Sequence, residues 1–166
     1  VSNFLPISIT VGYDHNCVIT GDESSGSGTL QGVVLAPFAL VCWGDNSYGQ
    51  IGQGNTNGEP GFSNNGWVYP SSTGLKPRSV DLGTGRTAIA VDAGSYHTCA
   101  ILDDQSMKCW GSNSNGQLGD GTTVDRFTPT AVDLGPGRTA REVAAGGTFT
   151  CAILDDGSVK CWGQNY

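Results

Sequence analysis

Basic residues are scarce in this chain. Lysine and arginine together number 8 among 166 residues, against 15 aspartates and glutamates, so the net charge is −7 and the pI is near 4.4. Binding to phosphate backbones or to anionic lipid surfaces depends on clustered positive side chains. The sequence therefore argues against nucleic acid and anionic membranes as partners.

Long apolar runs are also missing. No stretch reaches the ~20 consecutive apolar residues that a membrane-spanning helix needs, so we expect no membrane insertion. The chain starts without a methionine and without the basic and apolar segments of a signal peptide. We therefore expect a processed or truncated piece of a longer protein.

A third absence is helical periodicity. Apolar residues make up 37% of the chain but occur in short segments, separated by turn-forming residues that include 26 glycines and 7 prolines. This composition is typical of an all-β chain with tight turns, whose core is built by stacking small sheets.

One stretch occurs three times. Its most complete copy runs from Gly146 to Gly163 and holds the loop sequence Asp155-Asp156-Gly157 between two short apolar runs. This pattern predicts a β-hairpin with a three-residue loop. A second copy starts at Gly94, and a third, interrupted copy starts at Gly12.

The predicted hairpins place cysteines opposite one another. Counting outward from the loop pairs Cys151 with Cys161 as non-hydrogen-bonded neighbours, whose Cα atoms lie ~4.5 Å apart, within disulfide reach. Metal binding is the alternative, but the spacing of the cysteines does not match that of a zinc finger. We therefore expect disulfides and an oxidising compartment. The predicted pairs are Cys17–Cys42, Cys99–Cys109 and Cys151–Cys161.

The third position of the hairpin loop requires a positive φ angle, which glycine adopts freely. Gly157 meets this requirement, whereas the middle copy carries Gln105. Because a non-glycine residue costs roughly 1 kcal/mol in this conformation, the middle hairpin is predicted to be the strained one.

Four short strands per period of about 52 residues are typical of a propeller blade. The motifs Gly-x-x-His-x-Cys, Leu-Asp-Asp-Gly, Trp-Gly-x-Asn and Gly-Gln-Leu-Gly together resemble the repeats of the regulator of chromosome condensation family, whose members form seven-bladed propellers. The paired cysteines resemble those of its secreted or surface members. The resemblance implies an all-β, partial β-propeller of about three four-stranded blades or parts of blades. Seven blades would need roughly twice this length, so we expect a section of a longer protein, an open arc, or a protomer that completes its sheet with a neighbour.

The repeats divide the chain as one incomplete repeat domain, 1–166. Repeat 1 covers 1–52 and contains an inserted long hairpin at 21–39. An inserted aromatic loop follows at 53–76, then repeat 2 at 77–128 and a truncated repeat 3 at 129–166.

The two insertions are the candidate interaction segments. Each has two interpretations: the hairpin either packs on its own blade or projects towards another molecule, and the aromatic loop either anchors itself or forms a binding platform. The candidate interaction residues are Val33, Val34, Leu35, Phe38, Phe62, Trp67 and Tyr69.

No active site, metal site or cofactor site is predicted. His15 and His97 occupy equivalent places, but Phe149 stands in the third, so we interpret the histidines as structural. The paired aspartates lie at hairpin tips, where Asp favours turns, and the recurring tryptophans indicate packing between blades. We also expect ion pairs within the glycine turns, Asp81 with Arg86 and Asp133 with Arg138.

Three classes of function remain. The first is a non-enzymatic extracellular structural or protein-interaction module, such as a self-associating protomer or section of a surface fibre or appendage. The second is a recognition propeller that binds carbohydrate or a protein ligand. The third, implied by the founding member of the family, is an exchange factor for a small GTPase, and the acidic charge and paired cysteines argue against it. Between the first two the residues leave the choice open; the first, with other protein chains as partners and an extracellular or cell-surface location, is the working prediction.

Overall fold

The computed structural model describes residues 6–21, 28–30, 33–35, 38–56 and 77–165, and every regular element within these ranges is a β-strand. None of the described residues forms a helix that could span a membrane. The strands are β1 (Pro6–Val11), β2 (His15–Thr20), β3 (Gly28–Leu30), β4 (Val33–Leu35), β5 (Leu40–Gly44), β6 (Arg78–Ser79), β7 (Ala88–Ala93), β8 (His97–Leu102), β9 (Met107–Gly111), β10 (Arg126–Ala131), β11 (Ala140–Ala145), β12 (Phe149–Leu154) and β13 (Val159–Gly163).

Three antiparallel sheets follow one another along the chain. Blade 1 has the strand order β1-β2-β5-β6, blade 2 the order β7-β8-β9-β10, and blade 3 the order β11-β12-β13. β3 and β4 form a separate two-stranded hairpin within the connection from β2 to β5. β7 packs against β1 and β2, and β11 packs in the same way against β7 and β8. The partial propeller predicted from the sequence is therefore confirmed.

The blades are offset from the sequence repeats. β6 lies at the start of the predicted repeat 2, 77–128, yet it pairs with β5 and so completes blade 1. Within blade 1 the strands run antiparallel, so the β2–β5 connection lies at one end of the blade and the β1–β2 and β5–β6 connections lie at the other. The two predicted insertions therefore start from opposite ends of the same blade.

The hairpins have the register expected from their loops. In blade 3, the backbone N–H of Leu154 donates to the carbonyl of Ser158 at 2.8 Å and closes the loop. The third loop position has φ of 82° at Gly157 and 64° at Gln105. Each cysteine pair lies directly opposite across its hairpin, with Cα atoms 4.0 to 4.2 Å apart, and is joined as a disulfide. The disulfides are Cys17–Cys42, Cys99–Cys109 and Cys151–Cys161.

Two equivalent apolar cores lie between the blades. In the first, Cys17 and Leu40 of blade 1 pack in one cluster with Val91 and Trp110 of blade 2. The second core repeats this arrangement one blade later. Its fully buried members are Cys99, Ile101, Met107, Cys109, Leu118, Leu134, Ala140, Ala152 and Leu154. The first two disulfides thus lie in the cores, each covered by the next blade.

The outer faces of the two end blades are open. Ile9 of β1 is exposed, whereas Val91, at the equivalent place in β7, is buried against blade 1. On the far side, Val159 of β13 is exposed, whereas its equivalent in blade 2, Met107, is buried. Both end blades therefore present to solvent apolar residues of the kind that the inner faces bury.

The prediction of ion pairs within the glycine turns is wrong. Arg86 Nη1 lies 3.2 Å from Asp103 Oδ2 and 2.8 Å from Asp104 Oδ2, so it binds the tip of the β8–β9 hairpin. Asp81 instead accepts the backbone N–H of Gly83 at 2.8 Å. The hairpin tip reaches the turn because Asp103 N donates to the carbonyl of Thr87 at 2.9 Å. Blade 3 repeats the arrangement, with Arg138 on Asp155 and Asp156.

Candidate interaction surface

A set of four polar groups closes the contact between blades 1 and 2, and we call it the first joint. The carbonyl of Gln50, in the turn after β5, accepts Trp110 Nε1 at 2.9 Å and Thr98 Oγ1 at 2.8 Å. Thr98 Oγ1 also lies 2.8 Å from His15 Nε2. Because the threonine hydroxyl gives its only hydrogen to Gln50, His15 must donate from Nε2.

The second joint repeats this set between blades 2 and 3. The carbonyl of Gln117 accepts Thr150 Oγ1 at 2.8 Å and Trp162 Nε1 at 2.9 Å, and His97 Nε2 lies 2.9 Å from the same threonine. The predicted packing between blades is confirmed for Trp110 and Trp162, and both histidines make structural contacts. The third tryptophan, Trp43, instead packs against Val18 and Val41 of its own blade. Phe149 replaces the histidine in blade 3, where no further described blade supplies a threonine.

The joint histidines are held neutral. His15 and His97 are almost completely buried, and the Nδ1 atom of each has no hydrogen-bond partner in the described part of the protein. Burial lowers the pKa of both side chains to about 4; Asp45 opposes the effect at His15 and Asp92 opposes it at His97. The described residues contain no group of three or more His, Cys, Asp or Glu side chains that could hold a metal ion.

The aspartates at the hairpin tips make hydrogen bonds within their own turns. Asp104 Oδ1 accepts both the backbone N–H and the hydroxyl of Ser106, and Asp156 binds Ser158 in the same way. These hydrogen bonds lower the pKa of both carboxyl groups, Asp104 and Asp156. Asp104 and Asp156 therefore make the turn hydrogen bonds that the sequence predicted for the hairpin tips.

Three tyrosines meet on the surface above the first joint. Tyr13 lies in the β1–β2 connection, Tyr48 in the turn after β5, and Tyr96 in the β7–β8 connection. The ring centroid of Tyr96 is 5.9 Å from that of Tyr13 and 5.1 Å from that of Tyr48, with interplanar angles of 59° and 49°. Tyr13 is 70% exposed and Tyr48 is 41% exposed. We call these three residues the tyrosine cluster.

The second joint carries no such cluster. At the second joint, the residues equivalent to Tyr13, Tyr48 and Tyr96 are Ser95, Asn115 and Thr148. Sequence reasoning missed the tyrosine cluster because its members come from three separate connections of two blades. Comparing the copies position by position would have marked Tyr13 and Tyr48 as departures from the repeat.

The residues predicted to mediate interactions are only partly described. Phe38 is 43% exposed and has φ of 55°, an unusual conformation for a non-glycine residue. Val33, Val34 and Leu35 form β4, of which only the backbone is described. Phe62, Trp67 and Tyr69 lie outside the described residues. These seven residues remain predictions and are distinct from the tyrosine cluster.

Sequence models of the regulator of chromosome condensation (RCC1) repeat match most of the chain. One matches residues 40–101 and 109–153, more than half of the chain, and a second matches 7–50 and 88–117. The chain belongs to the RCC1 repeat family. The resemblance read from the Gly-x-x-His-x-Cys and Trp-Gly-x-Asn motifs is thereby confirmed.

RCC1 repeats similar to this chain occur in proteins of diverse function. It is 28% identical to the ultraviolet-B receptor UVR8 of Arabidopsis thaliana over 95% of the chain, and 28% identical to the X-linked retinitis pigmentosa GTPase regulator of Mus musculus over 98%. It spans only 29% and 13% of those relatives. Among solved structures, human WBSCR16 matches with a TM-score of 0.69 and 23% identity, and yeast RCC1 (Prp20) bound to Kap60 with 0.66 and 20%. The chain covers 34% and 31% of those structures, with 97% and 99% of its own residues aligned.

Proposed function

We propose that this chain is a non-enzymatic protein-interaction module that works outside the cell, and that the tyrosine cluster is its binding surface. The difference between the two joints carries the proposal. Both joints are held by the same four polar groups, but only the first places exposed aromatic rings above them. Because the second joint forms without tyrosines, the fold does not require the cluster. Exposed aromatic side chains are enriched at the centres of protein interfaces.

Two further observations support the proposal, one for a protein partner and one for the location. Yeast RCC1 (Prp20), whose structure resembles this chain, is bound to Kap60 in a solved structure. The present chain carries three disulfides and no free cysteine among its described residues. Because disulfides persist in oxidising compartments, they favour an extracellular or cell-surface location.

Site-directed photocrosslinking tests the proposed surface. A benzophenone-bearing phenylalanine at position 48 keeps an aromatic side chain in the tyrosine cluster, and the same residue at position 115 provides the matched control. Both positions lie in the same turn of successive blades, where Tyr48 N and Asn115 N make equivalent hydrogen bonds to Gln50 and Gln117. Each variant is incubated with the extracellular and surface fraction of the source organism and irradiated.

We expect a discrete protein adduct at position 48 that is competed by unlabelled protein, and no such adduct at position 115. Equal labelling at the two positions, or none at either, would contradict the proposal. Intact-mass analysis of each variant before irradiation verifies that the three disulfides are present, so that misfolded protein does not enter the comparison.

Self-association is the second candidate function, and its contact would use apolar residues on the outer sides of blades 1 and 3. Ile9 on blade 1 and Val159 on blade 3 occupy places that inner blades bury against a neighbour. A second copy that stacked its blade 1 on blade 3 would cover both residues and would continue the array head to tail, as in a fibre. The insertions at 21–39 and 53–76 remain the alternative route to assembly predicted from the sequence.

A further inference from the structure

We infer that the tyrosine cluster binds a lysine or arginine side chain of the protein partner. This inference rests on the proposed function and names the chemistry that the partner must present. The shape of the cluster, the charges beside it and its restriction to one of two equivalent joints all point to a cationic ligand.

The three rings form a corner rather than a flat platform. Tyr96 lies between Tyr13 and Tyr48, and its ring is inclined to theirs by 59° and 49°. The face of an aromatic ring carries the negative part of its quadrupole, so a cation that approaches this exposed cluster can contact more than one ring. A cation within about 6 Å of more than one ring centroid is attracted by each of them. A sugar instead stacks on one broad ring face.

Two carboxylates lie beside the rings. Asp14 directly follows Tyr13, and the backbone N–H of Asp45 donates to the carbonyl of Asp14 at 2.8 Å. Burial raises the pKa of Tyr96, and the charges of Asp14 and Asp45 raise it further. Asp45 is fixed in place because its Oδ1 accepts the hydroxyl of Ser47 at 2.6 Å and its Oδ2 accepts Gln50 Nε2 at 2.8 Å. A cation on the cluster would therefore meet both aromatic faces and negative potential.

The carboxylates are as specific to the first joint as the tyrosines are. At the second joint, the residues equivalent to Asp14 and Asp45 are Tyr96 and Ser112, and both are uncharged. The backbone hydrogen bond between the two loops is nevertheless present at both joints. Asp45 N donates to Asp14 O, and Ser112 N donates to Tyr96 O, both at 2.8 Å. The three tyrosines and these two carboxylates thus occur together at the first joint, although the backbone bond between the two loops also forms without them.

Fluorescence anisotropy with a labelled hexalysine peptide tests the inference, with hexaarginine as a second cationic probe. Tyr13→Ser and Tyr48→Asn each install the residue that the second joint already carries, so the fold tolerates both. Asp14→Asn removes one carboxylate charge beside the rings. Glu142→Gln is the matched charge control, because Glu142 is an exposed carboxylate of β11 in blade 3. All measurements are made at ~150 mM salt, where exposed charges more than about 8 Å apart are largely screened.

We expect Tyr13→Ser and Tyr48→Asn to weaken hexalysine binding about three- to fivefold each, since an exposed cation–π contact contributes an amount of this order. Asp14→Asn should weaken binding about threefold, whereas Glu142→Gln should leave it unchanged. A peptide of six acetyllysines, which is neutral, should not bind.

Three results would overturn the inference. The first is no binding of either cationic probe. The second is equal loss in Asp14→Asn and Glu142→Gln, which would indicate non-specific attraction to an acidic protein. The third is binding of neutral oligosaccharides or acetyllysine peptide that the tyrosine variants abolish. None of these results would remove a crosslinked protein adduct at position 48, so failure of the inference is distinguishable from failure of the proposed function.

Discussion

At the scale of single residues, Gln105 and Gly157 form a matched pair. Both occupy the third position of the same hairpin loop with positive φ angles. A Cβ atom at Gly157 would meet no atom within 4 Å, so only the backbone conformation distinguishes glycine from another residue there. We expect Gln105→Gly to raise the free energy of unfolding by up to ~1 kcal/mol and Gly157→Gln to lower it by ~1 kcal/mol.

Urea denaturation of both variants checks this prediction. The gain at Gln105 is reduced by the greater freedom of glycine in the unfolded chain and by loss of the exposed contact from Thr139 Oγ1 to Gln105 Oε1 at 3.1 Å. The Gly157→Gln variant has no such contact to lose, so it measures the backbone effect alone. A Gly157→Gln midpoint equal to that of the parent chain would show that the loop does not impose strain.

The buried histidines predict a pH dependence of stability. In the unfolded chain His15 and His97 bind protons near pH 6.5, whereas in the folded chain their pKa is about 4. The unfolded state therefore takes up more protons as the pH falls between these values, and stability contributed by the neutral histidines is lost. The stability contributed by the neutral histidines is fully present above about pH 7. Each histidine should contribute roughly 3 kcal/mol to the total loss by pH 4.

Unfolding midpoints measured from pH 7.5 to pH 4 give the slope. His97→Phe installs the residue that blade 3 carries at the equivalent place, and it should reduce the slope by about half even though it removes the hydrogen bond to Thr150. The pKa values of Asp104 and Asp156 are lowered, so the stability that these two carboxylates contribute is lost only as the pH falls below the usual carboxylate pKa. If His97→Phe keeps the full parental slope of stability against pH, the pH dependence comes from other groups.

At the scale of elements, local contacts were predictable and contacts between neighbouring turns were not. The hairpin register followed from the three-residue loop because each residue outward from the loop has one defined partner. Arg86 was assigned to Asp81 because the two lie in one turn, but the hairpin tip at Asp103 and Asp104 docks on that turn in space. The tip reaches the turn because β7 pairs with β8, and the sequence of the turn alone does not contain that pairing.

The three disulfides differ in access to solvent. Cys17–Cys42 and Cys99–Cys109 are fully buried because the next blade covers each of them. Cys161 is exposed and Cys151 is partly exposed on the open face of blade 3. Thiolate attack requires access to a sulfur atom. We therefore expect mild reductant at neutral pH to open Cys151–Cys161 first, detected by alkylation and peptide mass mapping.

The control for this prediction is the same reaction in denaturing urea, where all three disulfides should react at similar rates. Equal rates under native conditions would show that the blades separate during the measurement or that the face of blade 3 is covered. A size measurement of the same native sample separates these two explanations, because a cover supplied by another copy at least doubles the mass.

At the scale of the whole molecule, the repeat pattern predicted the blades but not the surface that distinguishes them. Equivalent residues such as Gln50 and Gln117 hold the same place in their repeats, so the joints were accessible to sequence comparison. The tyrosine cluster combines Tyr13, Tyr48 and Tyr96, and their proximity depends on how two blades pack. Function in a repeat protein thus lies in the departures from the repeat, which become meaningful only once neighbouring blades are placed.

The last prediction concerns assembly through the open faces. Val159 is 64% exposed on blade 3, and Val124, in the connection between β9 and β10, is 58% exposed on another surface. Val159→Lys should therefore shift a self-associated sample to monomer, because burying an unpaired ammonium in the contact is costly, whereas Val124→Lys should leave the assembly intact. Sedimentation velocity over a range of concentrations measures both variants.

The insertions give the competing route, and a second set of variants separates the two. Deleting residues 22–37 spares Ala39, whose backbone N–H donates to Thr20 Oγ1 at 2.7 Å, so the hairpin can close. Trp67→Ser changes the aromatic loop. If the deletion or Trp67→Ser yields monomers while Val159→Lys still assembles, the contact is made by the insertions and the open faces are not used. Loss of assembly in Val159→Lys alone places the contact on the blade faces, because that substitution leaves both insertions unchanged and lies on the open side of β13.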